Sequence, residues 1–390
     1  MKEYVSKIIL EHISNLKKKI QVEKINHQII EIGDYINVPE ITSEIENHLH
    51  TDNDIQRYVI QTLINDSITN FKNNERIYNQ RRLKLQKLKE LDLPDQRSPE
   101  WYQLRKKILT ASSLGTAIDK GHFQTRDELL LDKIIEKPYE PNPITEWGVK
   151  YEDVAIMFYE ELYNVKVIDF GLIPHPEFKA FGASPDGICD DTGNEEYIAR
   201  MVEIKCPPKR RFTKTVPPHY GMQVQGQLEV CDLDECDFFQ VKIEEYDSYT
   251  DYCNDKFIQD DQIIEGRTIL NYPKGVTITY KKDGKLSYRY CKLNLSNQQY
   301  IDWIDLQEKE DIFEIKWWKI ERYECTLVTR DKVWWINSID KILLFYNDLL
   351  HFQKEENIDE LKKRVIESKK RKKKIEPLKD LQLVSDEEDN

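Results

Sequence analysis

Glu203 and Lys205 stand two residues apart in the stretch Met201-Val202-Glu203-Ile204-Lys205-Cys206, whose alternation of apolar and polar residues is that of a half-buried β-strand. Successive side chains of a strand leave opposite faces, so a carboxylate and an ammonium two apart share one face and their heads can converge on one point. Upstream, Asp186 sits in Ser184-Pro185-Asp186-Gly187, where Pro185 and Gly187 hold a bend at the end of the preceding strand. If the strands pair as a hairpin, Asp186 and Glu203 can share a hard divalent cation through oxygen ligands. Two carboxylates and a lysine are what metal-assisted phosphodiester hydrolysis requires. The cation lowers the pKa of a bound water and offsets phosphate charge, while the lysine orients or deprotonates the nucleophile. A Glu-x-Lys pair alone is most often a surface ion pair that contributes little; Asp186 in its bend sets this one apart.

The elements around these residues read in the order α, β, β, β, α, β. A long amphipathic helix, Glu-Trp-Gly-Val-Lys-Tyr-Glu onward from Glu146 and capped by Thr145, precedes three strand-like segments: Val165 onward, Phe181 onward and the Glu203 strand. A helix behind Pro217 and Pro218 follows, then a strand from Cys236. Asp283-Gly284 marks the turn of a later hairpin. The Trp317-Trp318 and Trp334-Trp335 pairs read as core, with an aromatic platform for bases as the alternative. Ser98-Pro99-Glu100 is a helix start, and residues before about 95 read as a separate helical module. A charged, disordered tail is expected over 354–390, where 369–374 are six consecutive basic residues that could serve nuclear import or DNA tethering.

With 58 Lys and Arg against 71 Asp and Glu, the net charge of -13 argues against a protein that coats nucleic acid over its whole surface. It leaves room for a local basic groove, and Lys205, Lys209, Arg210, Arg211 and Lys214 come with no acidic residue from Ile204 to Thr215. Seven cysteines without a Cys-x-x-Cys pair fit a reducing compartment and argue against structural zinc. No apolar run approaches the roughly 20 residues of a spanning helix, and the first residues lack a signal-peptide core, so an intracellular protein is expected.

Ser184-Pro185-Asp186-Gly187 and Glu203-Ile204-Lys205-Cys206-Pro207, with Gly148-Val149-Lys150-Tyr151-Glu152 before them and Gln223-Val224-Gln225-Gly226-Gln227 after, resemble the YqaJ-type, lambda-exonuclease-like branch of the PD-(D/E)XK nuclease superfamily, especially the viral recombinases of large DNA viruses. The resemblance covers about 97–353, with an extended segment over 247–296. It implies an α/β (α+β) fold, a central mixed β-sheet flanked by helices, here with an N-terminal helical module over 1–95. It also implies that Asp186 and Glu203 are metal ligands, that Lys205 serves the nucleophilic water and that Glu152 completes the site for Mg²⁺, with Mn²⁺ as the alternative. Gln223 and Gln227, one helical turn apart, resemble the glutamines beside the active site, and Gln225 ranks below them. Arg105 and Ser112, with Ser113 adjacent, resemble the segment that grips a terminal phosphate; Lys209, Arg210 and Arg211 are further phosphate-binding candidates. The implied activity is a 5′→3′ exonuclease that resects double-stranded DNA ends for viral recombination or repair, with a single-strand annealing protein as partner. Relatives form ring-shaped homotrimers, and the implied location is the host cytoplasm, a viral factory or the nucleus. The alternatives are an endonuclease of the same superfamily and a non-catalytic DNA-binding scaffold.

Overall fold

The computed structural model of the chain describes residues 1–23, 31–49, 53–121, 123–135, 142–209, 212 and 214–370. Two compact units are present, Met1–Lys89 and Glu90–Asn390. In the first, α1 (Lys2–Glu23), α2 (Val38–Leu49) and α3 (Asp54–Lys89) bury one stripe each: Val5, Ile8, Ile9 and Ile13, then Ile41 and Ile45, then Ile60, Ile64 and Ile68. Spacings of three and four put those residues on one face of each helix, so the three stripes close on a common core. Glu75 accepts the backbone N–H groups of Ile32 and Gly33 and so fixes the α1–α2 connection against α3.

The second unit opens with α4 (Pro99–Lys107), which Ser98 caps by accepting the N–H of Trp101. It continues through β1 (Leu109–Thr110), α5 (Leu114–Ala117), α6 (Arg126–Ile134), α7 (Pro143–Tyr163), β2 (Val165–Ile168), β3 (Ile173–Pro174), β4 (Phe181–Ala183), β5 (Gly187–Gly193) and β6 (Met201–Lys205). Then come α8 (Pro218–Cys231), β7 (Glu235–Glu245), α9 (Tyr249–Asn254), β8 (Phe257–Gln259), β9 (Gln262–Ile264), β10 (Lys274–Lys282), β11 (Lys285–Tyr290), α10 (Asn297–Asp305), β12 (Ile312–Thr329) and α11 (Lys332–Phe352). Seven strands form one mixed sheet in the order β11-β10-β12-β7-β6-β5-β2, in which only β6 and β7 run parallel. A small second sheet, β1-β4-β3, carries the chain into the Asp186 bend. This is the expected fold class, a mixed sheet flanked by helices.

The sheet is covered on both faces where it matters. Tyr151, Val154, Ala155, Phe158 and Tyr159 of α7 pack on Val202 and Ile204 of β6 and Phe239, Val241 and Ile243 of β7. Glu203 and Lys205 on its other face meet Gln223, Gln227 and Tyr220 of α8 instead, so β6 is buried except for a half-buried Lys205, more than its alternation suggests. Gly226 lets α8 sit close: a Cβ there would lie 2.9 Å from Leu114, 3.1 Å from Phe181 and 3.2 Å from Ala111. At the sheet's edge, Asp283 and Gly284 both take positive φ, the requirement of the two-residue turn between β10 and β11. Trp318 lies in the main core and Trp317 packs among Tyr249, Tyr252 and Tyr300, which favours the core reading for that pair.

Three boundaries differ from those the sequence suggests. Residues 90–98 belong to the second unit, because the Gln96 amide donates to Asp169, to the Phe170 carbonyl and to the Pro185 carbonyl. The cap of α7 is Asn142, which accepts the N–H of Ile144 and puts Pro143 in the first turn; Thr145 lies inside the helix. Residues 358–370, expected in a disordered tail, are helical: Leu361 and Val365 are buried, Arg364 pairs with Asp127 and Lys369 with Glu128. Residues 371–374 of the basic run lie outside the described residues. Among the described residues no helix is long and apolar enough to cross a membrane.

Candidate active site

β5 runs antiparallel to β6, with Gly187 opposite Val202, and this pairing brings the Asp186 bend to the middle of β6. One carboxylate oxygen of Asp186 accepts the N–H of Ile204 at 2.7 Å, so the backbone between Glu203 and Lys205 holds Asp186 in place. Glu203 is fully buried. Its Oε1 accepts from Gln223 at 2.6 Å and from the Lys205 ammonium, and its Oε2 accepts from Gln227 at 2.7 Å. The one-turn spacing of the glutamines on α8 matches the two oxygens of a single carboxylate, which is the physical reason both are needed. Lys205 also donates to the Ile204 carbonyl and lies over the ring of Tyr220 from the first turn of α8. Gln225 points away, bridging the Thr329 carbonyl and the N–H of Asp331 at the start of α11.

Glu152 reaches the same place from α7. That helix is pinned to β7 just before Glu152 by Lys150 and Tyr151, which both donate to Glu245 at 2.6 Å. Glu152 pairs with Arg97 at 3.0 Å, in a cleft of about 460 Å³ also lined by Gln96, Asp153, Asp169 and Asp186. Burial and the neighbouring Glu203 and Glu152 raise the Asp186 carboxyl well above its ordinary range, against a partial offset by Lys205. Burial also raises Glu152, offset in part by Arg97. Burial alone would lower Lys205, but Glu203 and Asp186 beside it hold the ammonium above the usual lysine range.

Among the described residues no three His, Cys, Asp or Glu side chains stand as a ready-made metal cage. The donor chemistry nevertheless fits a hard divalent cation. Asp186, Glu203 and Glu152 supply only carboxylate oxygens, burial with like charge nearby raises Asp186 and Glu152, and the cluster's charge is partly offset by Lys205 and Arg97. A cation entering among them relieves the repulsion that burial enforces.

The phosphate-gripping candidates Arg105 and Ser112 meet where α4 gives way to β1 and α5. Arg105, at the end of α4, donates to Ser112 at 3.2 Å and stacks its guanidinium on Trp101, 4.4 Å from the ring centre. Ser112 is exposed and also bonded to Thr110; Ser113 is half-buried and its side chain caps no helix. Lys133 of α6, which the sequence did not single out, donates to the Arg105 and Ile108 carbonyls. Burial and Arg105 push its ammonium down to about 8. Lys209 is exposed just beyond β6, and Arg210 and Arg211 lie outside the described residues. Other neighbours that sequence reasoning missed are Arg97, Gln96 and Tyr220. Only Arg97 had a local signal, its place directly before the cap of α4.

If Arg105 takes a terminal 5′-phosphate, duplexes with phosphorylated ends react faster than those with hydroxyl ends by roughly ten- to hundredfold, the worth of a charge-assisted bidentate contact. Arg105→Ala erases that preference, whereas substitution of the exposed Lys106 or Lys107 slows both substrates alike. Initial rates on two duplexes that differ only at the 5′ end give the answer.

Residues 100–234 match the family model of the YqaJ-like viral recombinase domain. An uncharacterized protein of Acanthamoeba polyphaga mimivirus is 30% identical over 321 residues, 73% of this chain and 58% of that protein. A protein of African swine fever virus is 25% identical over 160 residues, 35% of this chain and 46% of its own length. The chain thus aligns with only about half the length of each relative. Among solved structures, an alkaline exonuclease from Laribacter hongkongensis is 20% identical, covering 69% of this chain and 99% of its own, with a TM-score of 0.39. A phage-related exonuclease from Haemophilus somnus is 15% identical, covering 65% and 96%, with a TM-score of 0.34.

Proposed function

We propose, on the premise that residues 100–234 carry a YqaJ-like viral recombinase domain, that this chain is a divalent-metal-dependent DNA nuclease whose chemistry is performed by Asp186, Glu203 and Lys205. The observation that carries the reading is the convergence of Gln223, Gln227 and Lys205 on the single buried carboxylate of Glu203, beside Asp186. Fixing a fully buried carboxylate with three donors costs a protein more than an apolar core would, and it is retained where the carboxylate has work to do.

Asp186, Glu203 and Glu152 would hold Mg²⁺, which supplies Lewis-acid charge at the scissile phosphate and activates water. The two glutamines fix both oxygens of Glu203 and leave it no freedom to turn from the site. Lys205, whose ammonium sits beside Glu203 and Asp186, orients the attacking water and offsets charge on the phosphate. Arg105 and Ser112 bind the terminal 5′-phosphate and set the polarity as 5′→3′. The single strands left by such resection suit viral recombination or repair with a single-strand annealing protein. We assign the nuclease domain to the second unit, acting as a homo-oligomer in a viral factory or the nucleus.

Linear and covalently closed duplexes incubated with Mg²⁺ separate the readings. An exonuclease degrades the linear form and spares the circle, an endonuclease cuts both, and a scaffold cuts neither. Label at one 5′ or one 3′ terminus then reports polarity by which is released first.

A further inference from the structure

Two cations line the cleft among the carboxylates Glu152, Asp153, Glu160, Asp169 and Asp186: Lys166 pairs with Glu160, and Arg97 pairs with Glu152, a carboxylate assigned to the metal site. The Arg97 backbone is held in the left-handed region at φ 64, a conformation that a residue with a side chain adopts at some cost. The turn around it is fixed from both sides. Ser98 donates its N–H to the Asp95 carbonyl and caps α4, and the Gln96 amide makes three bonds, to Asp169 at 2.8 Å, Phe170 at 3.0 Å and Pro185 at 3.1 Å. The backbone that presents Arg97 is therefore built onto the bend that presents Asp186.

We propose that Arg97 is the resident counter-ion of Glu152, held over the cleft by the 95–98 turn and surrendered when a divalent cation binds, so that it sets the affinity of the site for that cation. The inference rests on the metal reading above. A guanidinium and a hard cation want the same carboxylate oxygens, and Glu152 cannot serve both fully. The pair is suited to exchange: the Arg97 side chain is 45% exposed and that of Glu152 25%, so water screens the contact and its loss is cheap. A displaced guanidinium need not leave the cleft, because Asp153 and Asp169 lie within its field. While the site holds no cation, Arg97 limits the mutual repulsion of Glu152 and its neighbours.

The test is calorimetric titration of Mg²⁺ into the full chain, without DNA, for wild type, Arg97→Gln and Arg97→Lys, each checked for folding by its melting curve. Removing a competing cation makes Arg97→Gln bind Mg²⁺ about three- to tenfold more tightly, and Arg97→Lys, which keeps the charge, stays near wild type. A residue that merely positions Glu152 gives the opposite sign, weaker binding on its removal. Equal or weaker Mg²⁺ binding by a folded Arg97→Gln protein overturns the proposal while leaving the metal site intact. A folded wild type that takes up no Mg²⁺ overturns the metal reading itself and this proposal with it.

Discussion

Asp186→Asn loses cleavage of linear duplex by on the order of 10³-fold, the scale at which loss of a charge-stabilising group acts, and still binds DNA as well as wild type or better. The substitution removes a hard oxygen ligand and a negative charge facing phosphate, yet it keeps an oxygen that can accept the N–H of Ile204. The same variant is more stable than wild type at neutral pH without divalent cations. Asp186 is raised in the folded state by burial, Glu203 and Glu152, so its protonated form is the one that favours folding. The stability it contributes is fully present below the ordinary carboxylate range and is lost as pH rises through the raised folded value. Metal-free wild type and Asp186→Asn therefore melt close together at acid pH and diverge as pH rises. Adding Mg²⁺ reverses the order, because the cation binds the charged carboxylate and the asparagine offers it less. Melting curves across pH, with and without Mg²⁺, check all three statements. A gap between metal-free wild type and Asp186→Asn that stays constant or narrows as pH rises contradicts the account.

The parts of this site that were legible in the sequence are those set by short-range periodicity. Two residues on a strand share a face, which joined Glu203 to Lys205; four on a helix share a face, which joined Gln223 to Gln227 and ranked Gln225 below them. The illegible parts are contacts between distant segments. Arg97 meets Glu152 only because α7 and the turn before α4 are brought together by the fold, and Gln96 reaches Pro185 for the same reason. The burial of β6 on both faces was hidden as well, because its polar residues face α8 rather than water and so imitate an exposed face. The charged stretch after Gln353 misled in the opposite direction. Its lysines and arginines suggest a solvated tail, but Leu361 and Val365 recur four apart and anchor a helix through residue 370, while Arg364 finds Asp127.

Lys205→Met slows turnover by on the order of 10²-fold at saturating Mg²⁺ and leaves metal affinity undiminished, because the ammonium acts on water and phosphate charge rather than on the cation. Its cost to the metal-free fold is separable from its cost to catalysis. Glu203 has a side chain only 1% exposed and loses its one cationic partner, and stripping one member from such a pair destabilises by about 2–4 kcal/mol, discounted for the partial exposure of Lys205. The uncharged pair made by Glu203→Gln with Lys205→Met recovers part of that loss. Gln227 can then turn its amide, since its Oε1 is buried without a hydrogen-bond partner and could accept from the introduced amide. A double-mutant cycle on unfolding free energies accordingly shows a coupling of about 1–3 kcal/mol between the two positions. Activity shows no such recovery, because the double variant lacks both the ligand and the ammonium. A Lys205→Met protein that fails chiefly in Mg²⁺ titration would make the lysine an organiser of the metal site; one that keeps full turnover would remove it from the chemistry.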